Sequence, residues 1–176
     1  MAKNILISGQ SIGKTSLLET ILRETSGGRS GFITRRMITG EIHTGYTVIT
    51  DTDANFTFAD VTFTKLRRVG KFGVNIQRFN SIFSSLTDYQ RDNYRPFLYM
   101  DEIGAMQLTA GIFPYFVRNF LNAPNPFIGT IPAENVYKHK FIDEIKSRAD
   151  VTILELTQEN RSEVYSIIKS FLKGYS

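Results

Sequence analysis

Apolar residues are arranged along this chain in two alternating patterns. Short continuous apolar runs, typical of strands buried on both faces, occupy residues 4–7, 97–100, 127–129 and 151–154. Between and after these runs, apolar residues recur three or four positions apart, as on one face of a helix, at 17–22, 76–86, 112–121 and 164–172. Buried strands that alternate with helices predict an α/β fold, a mainly parallel sheet covered by helices on both faces.

One segment departs from this alternation. Across residues 31–63 apolar and polar residues alternate with a period of two, around Ile33, 46–49 and 56–58. Turn-forming residues lie between these stretches, at 39–41 and 51–53. The pattern predicts an antiparallel β excursion within a single domain that spans residues 1–176.

Composition narrows the class of protein. The 176 residues are 41% hydrophobic and 22% charged, which excludes a disordered chain and suits one domain. The absence of cysteine excludes disulfides, thiolate zinc sites and cysteine nucleophiles, and only two histidines are present. No apolar run approaches the length of a membrane span, and the apolar stretch after Met1 is too short for a signal peptide. We therefore expect a cytoplasmic protein with no membrane partner.

The net charge of +4 is concentrated in one segment. Residues 62–95 contain seven basic and two acidic residues, with phenylalanines between them. Such a segment could bind nucleic acid. A solvated basic face beside a site for an anionic ligand is the favoured interpretation, because attraction of phosphates needs no specific partner.

A candidate phosphate-binding loop, Ser8–Thr15, joins the first predicted strand to the first helix. Small residues there allow backbone N–H groups to surround phosphate oxygens, and the helix start adds its positive dipole end. Lys14 is expected to reach the β- and γ-phosphates, and the Thr15 hydroxyl to ligate Mg²⁺. Only three residues separate Gly9 from Gly13, where the usual motif has four. Either Ser8 replaces the first glycine or the loop is one residue short. The predicted nucleotide-binding residues here are Gly9, Gln10, Ser11, Ile12, Gly13, Lys14, Thr15 and Ser16.

Two carboxylates follow the second apolar run. Asp101 is predicted to hold a water of the Mg²⁺ shell, and Glu102 to orient and deprotonate an attacking water. Thr130 ends the third run and is a weaker candidate for contact with the γ-phosphate or that water. The carboxyl ends of parallel strands meet at one edge of a sheet, so we expect these groups to lie beside the loop.

These residues carry a resemblance to a known family. The matching stretches are Gly13–Thr15, Gly31–Thr34, Gly45–Tyr46, Gly70–Asn75, Asp101–Gly104 with Met106 and Leu108, Gly129–Ile131, Phe141–Arg148 and Thr157–Arg161. In order and over essentially the whole chain, they resemble the thermophile-type nucleoside-triphosphatases, a family that includes the human cancer-related nucleoside-triphosphatase. The resemblance implies an ASCE-type P-loop fold, related to RecA and AAA+ cores. It also implies Mg²⁺-dependent hydrolysis of ATP, GTP and other nucleoside triphosphates. This chain lacks one residue and the middle glycine of the family's loop.

A hydrolase of this kind is completed by an arginine that meets the γ-phosphate. By resemblance Arg148 is the best match, and Arg35 and Arg36 are weaker candidates from the β excursion. His139 is predicted to be a surface residue, because Glu102 already supplies the base.

Two other functions fit the same residues. A kinase that passes the γ-phosphate to a nucleotide, a polynucleotide or a small molecule would use the same Lys14, Thr15 and Asp101. A nucleotide-binding switch that barely hydrolyses would suit the shortened loop. The sequence indicates neither a preferred base nor an oligomeric state.

Overall fold

A computed structural model describes residues 3–10, 13–25, 28–51, 54–88 and 97–174 of the chain. Within them the strands are β1 (Asn4–Ser8), β2 (Arg29–Thr39), β3 (Ile42–Thr50), β4 (Asn55–Asp60), β5 (Arg67–Val69), β6 (Phe72–Val74), β7 (Phe97–Met100), β8 (Phe127–Thr130) and β9 (Val151–Glu155). The helices are α1 (Lys14–Glu24), α2 (Ile76–Asp88), α3 (Phe113–Asn122), α4 (Lys140–Lys146) and α5 (Arg161–Lys173), and a 3₁₀ turn covers Gln107–Thr109.

All of these strands join one sheet, in the spatial order β5-β6-β4-β3-β2-β7-β8-β1-β9. The five strands from β2 to β9 in that order are parallel to their neighbours. Leu6 at the centre of β1 lies between Gly129 of β8 and Ile153 of β9. The predicted α/β fold and its four parallel strands are confirmed, and β1, β7 and β8 are buried as predicted, whereas β9 lies at the edge of the sheet and is only half-buried.

The first half of β2 was not predicted as a parallel strand. Its residues Arg29–Phe32 pair with β7 in parallel, and from Phe32 onward the strand pairs with β3 in the antiparallel direction. The alternation around Ile33 predicts only the antiparallel half, because period-two patterning does not reveal the direction of a neighbour. One long strand thus connects the parallel and antiparallel parts of the sheet.

The antiparallel part extends beyond the predicted limit of residue 63. Strands β4, β6 and β5 add to β3, so the antiparallel pairing continues to Val74. The turn between β2 and β3 contains Gly40, whose φ of 62° is in the left-handed region that suits glycine. This hairpin sets Arg36 directly opposite Tyr46 in the register of the two strands.

The helices cover both faces of the sheet. Side chains of α1 and α5 form one apolar cluster, which includes Ile5 and Ile7 of β1. Side chains of α2, α3 and α4 form a second cluster, which includes Leu6. Successive residues of β1 therefore enter opposite clusters, and burial on both faces explains why the strand is continuously apolar.

Two helix starts show how polar side chains set the helix ends. The predicted cap of α2 is confirmed, because Arg78 N donates a hydrogen bond to Asn75 Oδ1 at 3.0 Å. Helix α4 begins after His139, whose Nδ1 accepts a hydrogen bond from Phe141 N at 3.1 Å. His139 is thus a half-buried helix cap rather than a fully exposed residue. Nowhere in the described part of the chain is a helix both long enough and apolar enough to cross a membrane.

Candidate active site

The carboxyl ends of β1, β8 and β7 lie side by side, with β8 in the middle. The candidate phosphate loop follows β1, Asp101 and Glu102 follow β7, and Thr130 ends β8. A pocket of about 470 Å³ opens at this edge, and Lys14 and Glu102 both line it. Ligands of open α/β sheets bind outside the carboxyl ends of the strands, so this is the expected position for a functional site.

The described part of the phosphate loop depends on two glycines with positive φ. Gly9 has a φ of 140°, and a Cβ there would lie 2.6 Å from the carbonyl oxygen of Leu156. Gly13 has a φ of 69°, and a Cβ there would lie 2.7 Å from Nη1 of Arg161. Both glycines let the loop pack closely against the segment that joins β9 to α5. The predicted binding residues Ser11 and Ile12 lie outside the described residues.

Lys14 begins α1 and faces the pocket. Its Nζ donates a hydrogen bond to the carbonyl oxygen of Gly9 at 2.5 Å, which joins the two ends of the loop. Burial lowers the pKa of Lys14, and the negative charges of Glu102 and Asp101 oppose that shift. The Lys14 ammonium lies close to the carboxylates of Glu102 and Asp101 at the start of α1. The backbone dipole of the helix also favours anions at this position.

Asp101 is 1% exposed and is surrounded by hydrogen-bond donors. Its Oδ2 accepts from the Thr15 hydroxyl at 2.7 Å and from the Thr34 backbone N–H at 3.3 Å. Its Oδ1 accepts from the Thr130 hydroxyl at 2.9 Å. Burial raises the pKa of Asp101 to about 6, against the opposing effect of these hydrogen bonds. The carboxylate is thereby fixed beside the first turn of α1.

Glu102 differs from Asp101 in both backbone and surroundings. Its φ of 76° places a non-glycine residue in the left-handed region, a conformation that is strained and often found at functional sites. Its backbone N–H donates to the Thr130 hydroxyl at 2.8 Å, which holds this conformation. Burial raises the pKa of Glu102, and the charges of Lys14 and Arg36 oppose the shift. The side chain is directed into the pocket instead of into a hydrogen-bonded cage.

Thr130 connects the two acids. One hydroxyl donates to Asp101 Oδ1 and accepts from the N–H of Glu102. A hydroxyl carries one proton, so this one is already committed to Asp101. Thr130 also lines the pocket. Its contact with a nucleotide stays a prediction.

The structure does not bring Arg148 to this site. Its guanidinium donates to both carboxylate oxygens of Asp150, at 2.9 and 2.8 Å, and to Asn122 Oδ1. Asp150 precedes β9, whose first residue pairs with Asn4 at the start of β1. Ser8 lies four residues beyond Asn4 along β1. At about 3.3 Å per residue, the start of β1 is about 13 Å from the phosphate loop that follows Ser8. Within one chain, the prediction that Arg148 meets the γ-phosphate is therefore wrong.

The arginines that line the pocket come from β2 instead. Arg35 forms an ion pair with Glu19 of α1 at 2.7 Å, and it is well exposed. Arg36 lies opposite Tyr46. It is close enough to Glu102 for its charge to oppose the rise in the Glu102 pKa that burial causes. Of the two weaker candidates, Arg36 is thus the cation beside Glu102.

Three further residues had no role assigned from the sequence: Thr34 and Tyr46 line the pocket, and Arg161 lies behind the phosphate loop. Arg161, at the start of α5, donates from Nη1 to the Gly13 carbonyl at 3.0 Å and from Nη2 to the Ser16 hydroxyl at 2.9 Å. The Thr34 hydroxyl donates to the backbone oxygen of Asp101 at 3.0 Å, and Tyr46 lies beside Glu102. Each belongs to a stretch that matches the resembled family, which was the available signal. Only the folded chain reveals what each residue contacts.

The donor set suits Mg²⁺ more than a transition metal. Thr15 and Asp101 offer hard oxygen atoms 2.7 Å apart, the type of ligand that Mg²⁺ prefers. Among the described residues, no group of three or more histidine, aspartate or glutamate side chains converges on a point. Such a site cannot enclose a metal by itself, and Mg²⁺ typically takes its other ligands from water and substrate phosphates. The residues therefore fit a metal that arrives with a nucleotide.

Known proteins resemble this chain over nearly its whole length. A family model described as NTPase matches residues 4–169. Nucleoside-triphosphatase THEP1 of Aquifex aeolicus is 31% identical over 177 residues, which cover 96% of this chain and 98% of that relative. The crystal structure of THEP1 from the same organism superposes with a TM-score of 0.79 at 31% identity, covering 94% of this chain and 96% of the other. The solution structure of a human cancer-related nucleoside triphosphatase gives a TM-score of 0.80 and covers 99% and 100% of the two chains. At 24% identity the human structure supports the fold alone. These matches confirm the resemblance that the motifs indicate.

Proposed function

The chain belongs to the NTPase family and is a nucleoside-triphosphate hydrolase, and we propose that it cleaves the γ-phosphate of ATP, GTP and other nucleoside triphosphates with Mg²⁺ and with Glu102 as the base. One observation carries the proposal. Thr15, Thr130 and Thr34 all hydrogen-bond to Asp101, while Glu102, one residue later, faces the pocket beside Lys14. The two acids thus have different surroundings and are suited to different tasks.

The loop and the start of α1 bind the phosphates in this proposal. Lys14 exchanges its hydrogen bond to Gly9 for the β- and γ-phosphate oxygens, and backbone N–H groups of residues 9–16 surround the remaining oxygens. Arg161 supports the loop from behind, because it already bonds Gly13 and Ser16. It is a positioning residue, since its donors are directed at the protein.

Thr15 and Asp101 would hold Mg²⁺, Thr15 directly and Asp101 through a water. The ion neutralises charge on the β- and γ-phosphates when it is bound. Asp101 suits the water-mediated role because Thr15 and Thr130 already fix the orientation of its two oxygens. Burial raises the pKa of Asp101, and the positive charge of a bound metal would oppose that shift and favour the ionised carboxylate.

Glu102 activates the attacking water. The water oxygen forms a bond to the γ-phosphorus, the bond from that phosphorus to the bridging oxygen breaks, and the water proton passes to the Glu102 carboxylate. The products are the nucleoside diphosphate and phosphate. A pKa raised by burial makes this carboxylate a stronger base than an exposed glutamate. Arg36 stabilises charge that develops on the γ-phosphoryl group, the role that the resemblance assigned to Arg148.

Purified protein incubated with Mg·ATP tests the proposal. Steady phosphate release without any added acceptor, abolished by chelation of Mg²⁺, is the expected result. Nucleotide binding without turnover would instead indicate a switch, and ADP formation that requires an acceptor would indicate a kinase. Repeating the assay with GTP, CTP and UTP tests the breadth of substrates. A cytoplasmic location stays a prediction from the sequence.

A further inference from the structure

A second pocket adjoins the first, and Glu102 lines both. It has a volume of about 240 Å³ and shares five lining residues with the first pocket, namely Thr34, Tyr46, Glu102, Pro132 and Val136. No residue of the phosphate loop lines it; the wall is built instead from β2, β3 and β5 and from the segments that follow β7 and β8. Glu102 therefore borders both pockets, and Lys14 lines only the first.

Hydrolysis does not require this space. A water molecule occupies about 30 Å³ in the liquid, roughly an eighth of the volume present. A cavity of about 150 Å³ accommodates a benzene molecule. The second pocket is therefore large enough for one substituted ring and smaller than the about 300–1,000 Å³ typical of drug-sized ligands.

The wall of the second pocket is mostly apolar with a few polar groups. Val69, Ala105 and Met106 supply apolar surface, and Tyr137 supplies an aromatic ring with a hydroxyl. Gln107 is 2% exposed and donates to the Thr34 hydroxyl at 3.3 Å, and that hydroxyl donates to the backbone oxygen of Asp101. An apolar wall with a few convergent polar groups is typical of a small-molecule site. The hydrogen-bond chain also ties the pocket wall to the phosphate site.

We propose that the second pocket binds a primary alcohol carried on a single aromatic or heteroaromatic ring, and that the chain transfers the γ-phosphoryl group to that alcohol. The inference rests on the proposed function, because Glu102 serves as the base in both reactions. The alcohol oxygen forms a bond to the γ-phosphorus, and the bond to the bridging oxygen of the nucleotide breaks. The alcohol proton passes to Glu102 and then to solvent. The products are a phosphate monoester and a nucleoside diphosphate.

Phosphorus NMR tests this with Mg·ATP and either benzyl alcohol or 3-pyridinemethanol as the probe. We expect a phosphate monoester signal that grows with time and saturates with alcohol concentration. The matched probe 3-methylpyridine lacks the hydroxyl. It should reduce ester formation by occupying the pocket, and it should not be phosphorylated itself.

Ala105→Leu fills the second pocket without touching the phosphate site. Added side-chain volume should exclude the ring and lower ester formation by about tenfold or more, with acceptor-free phosphate release within about twofold of wild type. Ala149→Leu is the matched control, because Ala149 is an exposed residue at the opposite edge of the sheet. It should change neither reaction.

The outcomes separate this inference from the proposed hydrolysis. Phosphate release without ester for either alcohol overturns the inference and leaves hydrolysis intact. Ester formation without acceptor-free phosphate release supports transfer and contradicts hydrolysis as the main reaction. Ester formation that Ala105→Leu leaves unchanged, while the variant protein is folded, overturns the assignment to this pocket.

Discussion

The two parts of the sheet contribute different kinds of residue to the same pocket. The parallel part supplies Lys14, Thr15, Asp101 and Thr130, which hydrogen-bond within the chain. The antiparallel part supplies Arg36 and Tyr46, which lie opposite each other on β2 and β3 and are exposed or half-buried. Asp101 and Thr130 are buried and bonded to each other, which holds one geometry, whereas Arg36 is exposed and is bonded to the half-buried Tyr46 on the neighbouring strand.

This difference suggests a division of labour. In the proposed mechanism the parallel part binds a triphosphate in the ground state, because its donors are fixed before a ligand arrives. The antiparallel part is suited to interactions that strengthen in the transition state, since Arg36 reaches the pocket from solvent. Variants on the two sides should therefore separate binding from turnover.

The largest effect is expected on the parallel side. Lys14→Ala removes the cation at the start of α1, and we expect ATP turnover to fall by more than about 10³-fold, with ATP binding too weak to saturate. Lys173→Ala, at the exposed end of α5, is the matched control. Isothermal titration with ATP and a phosphate-release assay measure both quantities. Wild-type turnover in Lys14→Ala would refute the site assignment.

On the antiparallel side, Arg36→Ala should lower kcat more than it weakens ATP binding. Loss of one donor to the developing charge typically costs about 10²-fold or more, and partial exposure should reduce this to about 10–100-fold. Arg35→Ala is the neighbouring comparison, because Arg35 is already paired with Glu19. Steady-state kinetics of both variants provide the measurement. An Arg35→Ala loss equal to or larger than that of Arg36→Ala would contradict the role given to Arg36.

Asp101 makes a smaller, pH-dependent contribution to stability. Its pKa in the fold is about 6, above the ordinary value of 3.8, so the folded chain favours the protonated form. The sign is therefore the reverse of ordinary acid denaturation: this contribution is complete below about pH 4 and is lost as pH rises toward 6. Asp101→Asn should become progressively more stable relative to wild type across that interval. Urea unfolding at several pH values measures the difference, and a constant difference would contradict burial as the dominant effect.

The smallest effect is expected at Arg148. Arg148→Ala removes hydrogen bonds to Asp150 and Asn122 at the opposite edge of the sheet, and we expect a loss of about 1 kcal/mol in unfolding free energy. Turnover should stay within about twofold of wild type. A large fall in kcat with unchanged stability would restore the role that the resemblance implied.

The sequence predicts the parallel part of the molecule better than the antiparallel part. Continuous apolar runs mark β1, β7, β8 and β9, and a glycine-containing turn before a helix marks the loop. These signals are local. The change from a parallel to an antiparallel neighbour along β2 gives no local signal, because the pattern of a strand indicates its burial and not the direction of its neighbours.

The same limit explains the arginines and the second pocket. Arg148 and Arg36 are both polar residues near matched stretches, and only the register of β2 with β3, or of β9 with β1, decides which lies near Glu102. The second pocket combines Val69, Met106 and Tyr137 from segments far apart in the chain. No spacing within one segment could indicate their meeting.

Glu102→Gln is the sharpest test of whether Glu102 activates the attacking nucleophile. Glutamine keeps the size of the side chain and the same demand for positive φ at this position, so the substitution isolates the loss of the carboxylate. We expect kcat for ATP to fall by about 10²–10⁴-fold. ATP affinity should be equal or slightly tighter, because repulsion between the carboxylate and the triphosphate is relieved.

Asp101→Asn, measured alongside, should instead weaken ATP affinity and raise the Mg²⁺ concentration needed for turnover. The two adjacent acids should therefore differ: Glu102→Gln loses turnover with intact binding, and Asp101→Asn loses metal and nucleotide binding. A folded Glu102→Gln protein that hydrolyses ATP at the wild-type rate would contradict the role of Glu102 as the base.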